Sequence, residues 1–285
     1  MAARKEYKLG SGTFGDVVAK GGNARKYFDN LGYLIQEVLV TLYMIDSPYT
    51  VNLVGYNFEN LYLETEMWDM DLRSAIMRYD FSPEEKLKIF NQLLLGLSHL
   101  NSRGITHSDL KPSNILINIQ DVKICLADLG LSSTHKHAKK RQTAPAYCPE
   151  LIMTNGLHDV FGASVTMTEL FADVHPKSSL SPSGIRSLLK RVPDKKVAGV
   201  IAKMCPDDPR KAISPPQAYE MLFGKMPEFP APTYVGHTGS LSEKALEWLR
   251  TEVERVTTKV GIERSYRCYM SLVIYFENPS NPPVP

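Results

Sequence analysis

The sequence predicts an α+β chain of two unequal lobes, a small strand-rich front and a larger helical rear, with a cleft between them of the kind that binds small ligands. Two observations carry this. In the first ~65 residues, "DVVAK" (16–20), "NARKYF" (23–28) and "LYLETEM" (61–67) are short, rich in strand formers and bounded by Gly, Asn or Asp. After Asp71 the pattern turns helical. The front lobe is expected to hold a single helix over 32–44, where Leu34, Ile35, Val38 and Leu42 recur at helical spacing. In the rear, Ser82, Pro83 and Glu85 form a helix start with a capping box, Leu87, Phe90, Leu93, Leu94 and Leu97 line one face, and Gly104 follows the end. The stretch 159–174 is apolar almost all round, which marks a buried helix. Residues 226–240, rich in proline and small residues, read as a linker. An amphipathic helix over 241–256 and a strand over 265–276 are expected beyond it, the helix docking on its own domain.

Composition narrows the function. The chain has 285 residues, 43% hydrophobic and 22% charged, and its 33 basic and 31 acidic residues leave a formal charge of +2. That balance argues against a nucleic-acid or membrane binder. The four cysteines, Cys125, Cys148, Cys205 and Cys268, form no CxxC pair and read as reduced thiols. With no apolar signal core at the start, no lipidation box and no apolar run long enough to span a bilayer, the expected location is cytoplasmic or nuclear.

Gly10, Gly12 and Gly15 form a GxGxxG pattern whose amides can approach phosphate oxygens. A dinucleotide fold needs a helix next; here a strand follows, so the glycines fit a hairpin lid over phosphates. A lid of this kind wants a cation. Lys26 on the returning strand is favoured over Lys20, which sits five positions after Gly15 on the outgoing strand. Glu37, an acid among apolar helix residues, is either a solvent-side group or the partner of Lys26. Further on, "HSDLKPSN" sets Asp109, Lys111 and Asn114 within six positions. Asp109 could take a proton from an attacking hydroxyl, Lys111 could neutralise a transferring phosphoryl group, and Asn114 could bind a hard cation through its amide oxygen. Asp128 ends an apolar strand as a second cation ligand. Singly, each is an ordinary surface residue; together, behind a glycine lid, they supply the parts of phosphoryl transfer.

In this order the motifs GSGTFGDV, the lysine strand, the helix glutamate, HSDLKPSN, DLG, CPE and the Asp-x-Phe-Gly-x-Ser helix start at Asp159 resemble the eukaryotic-type protein kinases over about residues 5–224. The resemblance implies the two-lobed kinase fold, with an N-lobe over 1–68, a C-lobe over 69–224 and a C-terminal extension over 225–285. It implies that Gly10, Ser11, Gly12, Thr13, Phe14, Gly15, Val17 and Ala24 enclose ATP, that Lys26 holds its α- and β-phosphates braced by Glu37, and that Asp109 is the catalytic base. Asn114 and Asp128 would bind Mg2+. Thr65 would be the gatekeeper, the backbone of Glu66 and Trp68 would meet the adenine edge, and Asp71 would lie near the ribose. Lys111 marks the serine/threonine form of the loop, and Thr143 matches the threonine that supports Asp109 and Lys111. A protein substrate with Ser or Thr is therefore expected, with neither nucleic acid nor membrane as partner. The string "MDL" at 70–72 resembles the cyclin-dependent and MAP kinase group.

Some positions depart from the pattern. Ser108 stands where the family usually has the arginine that receives an activation-segment phosphate, so activity independent of that phosphorylation is expected. Leu129 replaces Phe and Cys148 replaces Ala, both mild changes. Glu150 lacks its usual arginine partner, with Ala212 at the expected place, and Arg210 or Lys211 is expected to substitute. Only ten residues separate Lys26 from Glu37, a compact front lobe of the kind a reduced or viral kinase carries. The basic run at 135–142 reads as a solvated loop, an acidic-substrate contact or a nuclear-import signal. A pseudokinase that binds nucleotide or a partner without turnover, and a small-molecule kinase, are the rival readings.

Overall fold

Local chemistry sets the element ends. The computed structural model describes residues 7–12, 15–44, 47–134, 147, 156–175, 180–225, 228–229, 235–236, 240–241 and 251. The chain opens with strands β1 (Tyr7–Gly12), β2 (Gly15–Lys20) and β3 (Asn23–Tyr27), followed by helix α1 (Leu31–Tyr43). The Asn30 side chain caps α1 by accepting from the Gly32 amide. Strands β4 (Leu53–Asn57) and β5 (Tyr62–Glu66) complete a five-stranded antiparallel sheet in the order β1-β2-β3-β5-β4. On α1 the apolar face includes Leu34, Ile35 and Val38 as expected, but Leu39 and Val40 are also buried while Leu42 is half-buried.

Then come β6 (Met70–Asp71), α2 (Leu72–Arg78), α3 (Pro83–Ser102), β7 (Ile105–Thr106), β8 (Ile115–Asn118), β9 (Lys123–Leu126) and β10 (Ser133–Thr134). Helices α4 (Leu157–Ala172), α5 (Pro182–Leu189), α6 (Lys195–Met204) and α7 (Pro215–Phe223) follow. The capping box read at Ser82 is present: its hydroxyl accepts from the Glu85 amide and the Glu85 carboxylate accepts from the Ser82 amide. Ser214 and Gln217 make a second box at α7. Each such cap contributes about 1 kcal/mol. Ile89, Phe90, Leu93, Leu94 and Leu100 of α3 are fully buried, and α4 is buried nearly all round, as its composition predicts. β6, β8 and β9 form a three-stranded antiparallel sheet, and β7 pairs with β10.

Among the described residues, those of Met1–Asp46, Val51–Met67 and beyond Pro230 form one compact unit, and those of Ser47–Thr50 and Trp68–Phe229 a second. The break after Met67 adjoins the expected boundary at 68/69. Across the end of the expected linker, β11 (Val235–Gly236) pairs with β12 (Ser240–Leu241), so Leu241 is extended and does not start a helix. Of the expected helix over 241–256 only Leu241 and Thr251 are described, and the expected strand over 265–276 lies outside the described residues. No described helix is long and apolar enough to cross a membrane.

Candidate active site

Strand alternation builds the first group of candidate residues. Val17 pairs across with Lys26, Lys26 with Leu63, and Ala24 with Thr65, so Val17, Ala24, Lys26, Leu63 and Thr65 share one face of the sheet. On that face the Lys26 Nζ donates to Glu37 Oε2 of α1 at 2.7 Å, with side-chain exposures of 12% and 4%. The Phe28 ring lies 4.9 Å from the same ammonium. Lys20, the rival cation, has the opposite parity and sits with Arg25, whose guanidinium meets Glu64 at 2.7 Å. A cavity of about 460 Å³ lined by Gly15, Asp16, Val18, Tyr27 and Asp29 opens on that other face and, among the described residues, shares only Gly15 with the expected nucleotide set. Gly15 itself is obligatory: at φ +143° a β-carbon would fall 1.6 Å from the Tyr27 carbonyl oxygen.

The loop between β7 and β8 builds the second group. Lys111 Nζ and Asn114 Nδ2 both donate to Asp109 Oδ2, each at 2.8 Å, and Asn114 Nδ2 also donates to the Asp109 carbonyl. Asp109 is 3% and Asn114 6% exposed. With its nitrogen committed to Asp109, the Asn114 amide turns its oxygen the other way. Asp128 follows β9 in the left-handed region, φ 59° and ψ 61°. Its neighbour Ala127 is tied to this loop twice: the amide donates to the Asn114 carbonyl at 2.9 Å, and the carbonyl meets His107 Nε2 at 2.9 Å. The Asp109 amide approaches His107 Nδ1 at 3.4 Å, which leaves Nε2 as the donor to Ala127.

One buried carboxylate anchors the loop. Asp159, in the first turn of α4, accepts from the His107 amide at 2.6 Å and the Ser108 amide at 2.9 Å. Burial pushes its carboxyl above the usual carboxylate range, against amide bonds that favour the ionised form. The same helix comes close at Gly162, where a β-carbon would stand 2.6 Å from the Leu110 carbonyl oxygen. Farther along α4, buried Glu169 pairs with Arg73 of α2 at 2.9 Å and hydrogen-bonds the Tyr147 hydroxyl, which Arg73 also contacts. Burial raises the Glu169 carboxyl to about 7, with Arg73 and His175 pulling the other way.

The family model described as "Protein kinase domain" matches residues 3–223. The chain belongs to the protein kinase family. The kinase is 31% identical over 147 residues to "Mitogen-activated protein kinase p38a" of Drosophila melanogaster, covering 49% of this chain and 40% of that protein. It is 33% identical over 134 residues to "Mitogen-activated protein kinase 14" of Arabidopsis thaliana, covering 45% and 36%. It is 34% identical over 167 residues to "Calcium-dependent protein kinase 5" of Plasmodium falciparum (isolate 3D7), covering 51% and 29%. The matched region thus spans at most about two-fifths of these relatives' length.

In the kinase, Lys26 meets Glu37 in the first unit, and Asp109, Lys111 and Asn114 meet in the second. Thr65 is 9% exposed at the end of β5, and the Glu66 amide is committed to the Asn52 carbonyl at 3.2 Å. Trp68 is 9% exposed with the Lys123 ammonium 5.7 Å from its ring. Asp71, expected near a ribose, caps α2: its two oxygens accept from the Ser74 amide and hydroxyl at 2.9 and 2.7 Å. Gly10 and Gly12 lie on β1. The side chain of Ser11, all of Thr13, Phe14, Thr143, Cys148 and Glu150, and the basic run 135–142 lie outside the described residues. Arg210, a suggested partner for Glu150, is exposed and pairs with Asp208 at 2.9 Å. Sequence reasoning used Asp159 only as a motif marker and missed Arg73, Tyr147 and Glu169. The available signal was an acid at each end of an otherwise apolar helix.

Proposed function

We propose that this chain is a serine/threonine protein kinase that transfers the ATP γ-phosphoryl group to protein hydroxyls. The observation that carries the reading is the convergence of Lys111 and Asn114 on a single oxygen of buried Asp109. Asp109 would orient the substrate hydroxyl and accept its proton. Lys111 holds that carboxylate in place and would stabilise charge on the transferring group. Lys26, fixed by Glu37, would hold the α- and β-phosphates under the amides of Gly10, Gly12 and Gly15. Mg2+ suits the donors present: the Asn114 oxygen is turned away from Asp109, and Asp128 supplies a carboxylate. When bound, the ion would neutralise phosphate oxygens. Val17, Ala24, Thr65 and the backbone of Glu66 and Trp68 would enclose the purine, with Asp71 near the ribose in addition to its cap; Thr143 would support Asp109 and Lys111.

Ser108 holds its place through its backbone: φ is 68° and its amide donates to Asp159. Lacking a cation there, the kinase would work without activation-segment phosphorylation. The test is transfer of radiolabelled γ-phosphate to a generic protein substrate by the wild type and by Asp109→Asn. The rate should fall about 10²- to 10⁴-fold in the variant, and phosphatase pretreatment of the wild type should leave it unchanged. Equal transfer by wild type and Asp109→Asn would sink the reading.

A further inference from the structure

Phe229 lies past α7, in the stretch whose composition marks a linker. Its ring nonetheless has a built seat within the second unit. It stacks on His99 of α3, with centroids 4.8 Å apart and planes 6° from parallel, and meets Tyr49 edge-on at 6.4 Å. Tyr49 and His99 also meet each other edge-on at 6.3 Å, closing a three-ring cluster. His99 is 2% exposed.

Tyr49 matters for what its backbone does. Among the described residues β9 is an edge of its three-stranded sheet, paired to β8 on one side. An edge amide needs a partner from outside the ladder. The Tyr49 carbonyl supplies it, accepting from the Leu126 amide at 2.8 Å, and Thr50 bridges Leu126 in parallel. A β-carbon on Gly96 of α3 would lie 3.2 Å from both the Tyr49 Cβ and the Leu126 side chain, so helix, segment and strand are packed without slack. Leu126 stands two residues before Asp128.

We infer that Phe229 is a positioning residue: by locking the Tyr49 ring against His99 it holds the Tyr49 carbonyl on Leu126 and so fixes the strand end that presents Asp128. The inference rests on the proposed metal role of Asp128. It makes the start of the C-terminal extension a working element of the catalytic unit. Loss of the two ring contacts of Phe229 should speed exchange of the Leu126 amide by roughly five-fold or more.

The experiment is hydrogen–deuterium exchange on the full chain, free of metal and nucleotide, comparing wild type, Phe229→Ala and Phe229→Tyr. Faster exchange over 123–128 in Phe229→Ala, with α6 unchanged and Phe229→Tyr restored to the wild-type rate, supports the inference. Unchanged exchange over 123–128, or a uniform increase across the unit, overturns it. Phe229→Leu, which keeps apolar bulk without a ring, gives the same readout should Phe229→Ala fail to fold. Failure of both to fold also overturns it, since a residue of this kind is dispensable to folding. Mg2+-dependent nucleotide binding by Asp128→Ala tests the underlying reading separately. If that variant binds as the wild type does, Asp128 is no metal ligand and the positioning role falls, even where the exchange result stands as a mechanical link.

Discussion

Replacing Lys26 and Glu37 singly and together measures the ion pair that the sequence pattern places at the centre of the front unit. The two charges stand 2.7 Å apart with only 12% and 4% of their side chains exposed. At an effective dielectric constant near 20 their attraction is about 6 kcal/mol, much of it offset by the cost of taking both from water. Removing one partner takes a close ion-pair contact from the other, so Lys26→Met or Glu37→Leu should each cost about 2–4 kcal/mol. Lys26→Met loses in addition the contact of its ammonium with Phe28, 4.9 Å away. In the double variant both members of the pair are gone together, and the loss should be less than the sum of the singles, about 1–2 kcal/mol, a coupling of about 2–3 kcal/mol or more. Urea denaturation followed by circular dichroism, at constant m, gives all three values. Single losses that add to within about 0.5 kcal/mol in the double variant would refute the reasoning, because they would show the two groups to be energetically independent.

Two further outcomes follow from α4. Burial lifts the Glu169 carboxyl from its usual 4.5 to about 7, so between these values the folded chain carries more protons than the unfolded one. Stability should therefore fall as pH rises from about 4.5 to 7, by up to about 3 kcal/mol, and level off above; Glu169→Gln should flatten this part of the Tm-against-pH curve, and an unchanged curve would contradict the assignment. Gly162→Ala would drive a β-carbon to 2.6 Å from the Leu110 carbonyl, so it should cost about 1–3 kcal/mol in denaturation and lower kcat more than Gly199→Ala, where the space is open.

What could be read in advance was what short stretches decide by themselves. Ser82, Pro83 and Glu85 announce a helix start because cap chemistry is complete within four residues. Its place on the returning strand made Lys26 a better candidate than Lys20, which sits five positions after Gly15, and the register puts the two on opposite faces of the sheet. The pairing of Lys26 with Glu37 was legible because an acid amid Leu34, Ile35 and Val38 needs a partner. Contacts that join distant elements were not. Nothing local to Arg73 points to Glu169, 96 residues on, nor anything local to Phe229 to a seat beside His99. The Asp71 carboxylate looked available for a ligand because its use as a cap depends on α2 starting at Leu72, a short helix with little periodicity of its own. The extended Leu241 escaped notice because amphipathic spacing beyond it outweighed a two-residue pairing.

Among the described residues, the hydrogen bonds that Asp159 accepts come from main-chain groups: the amides of His107 and Ser108. A clasp that holds residue 108 by its amide leaves that side chain open to exchange. The arginine usual in this family can give way to serine there while the segment bearing Asp109 keeps its mooring, so a change in the means of activation need not move the carboxylate proposed as the base.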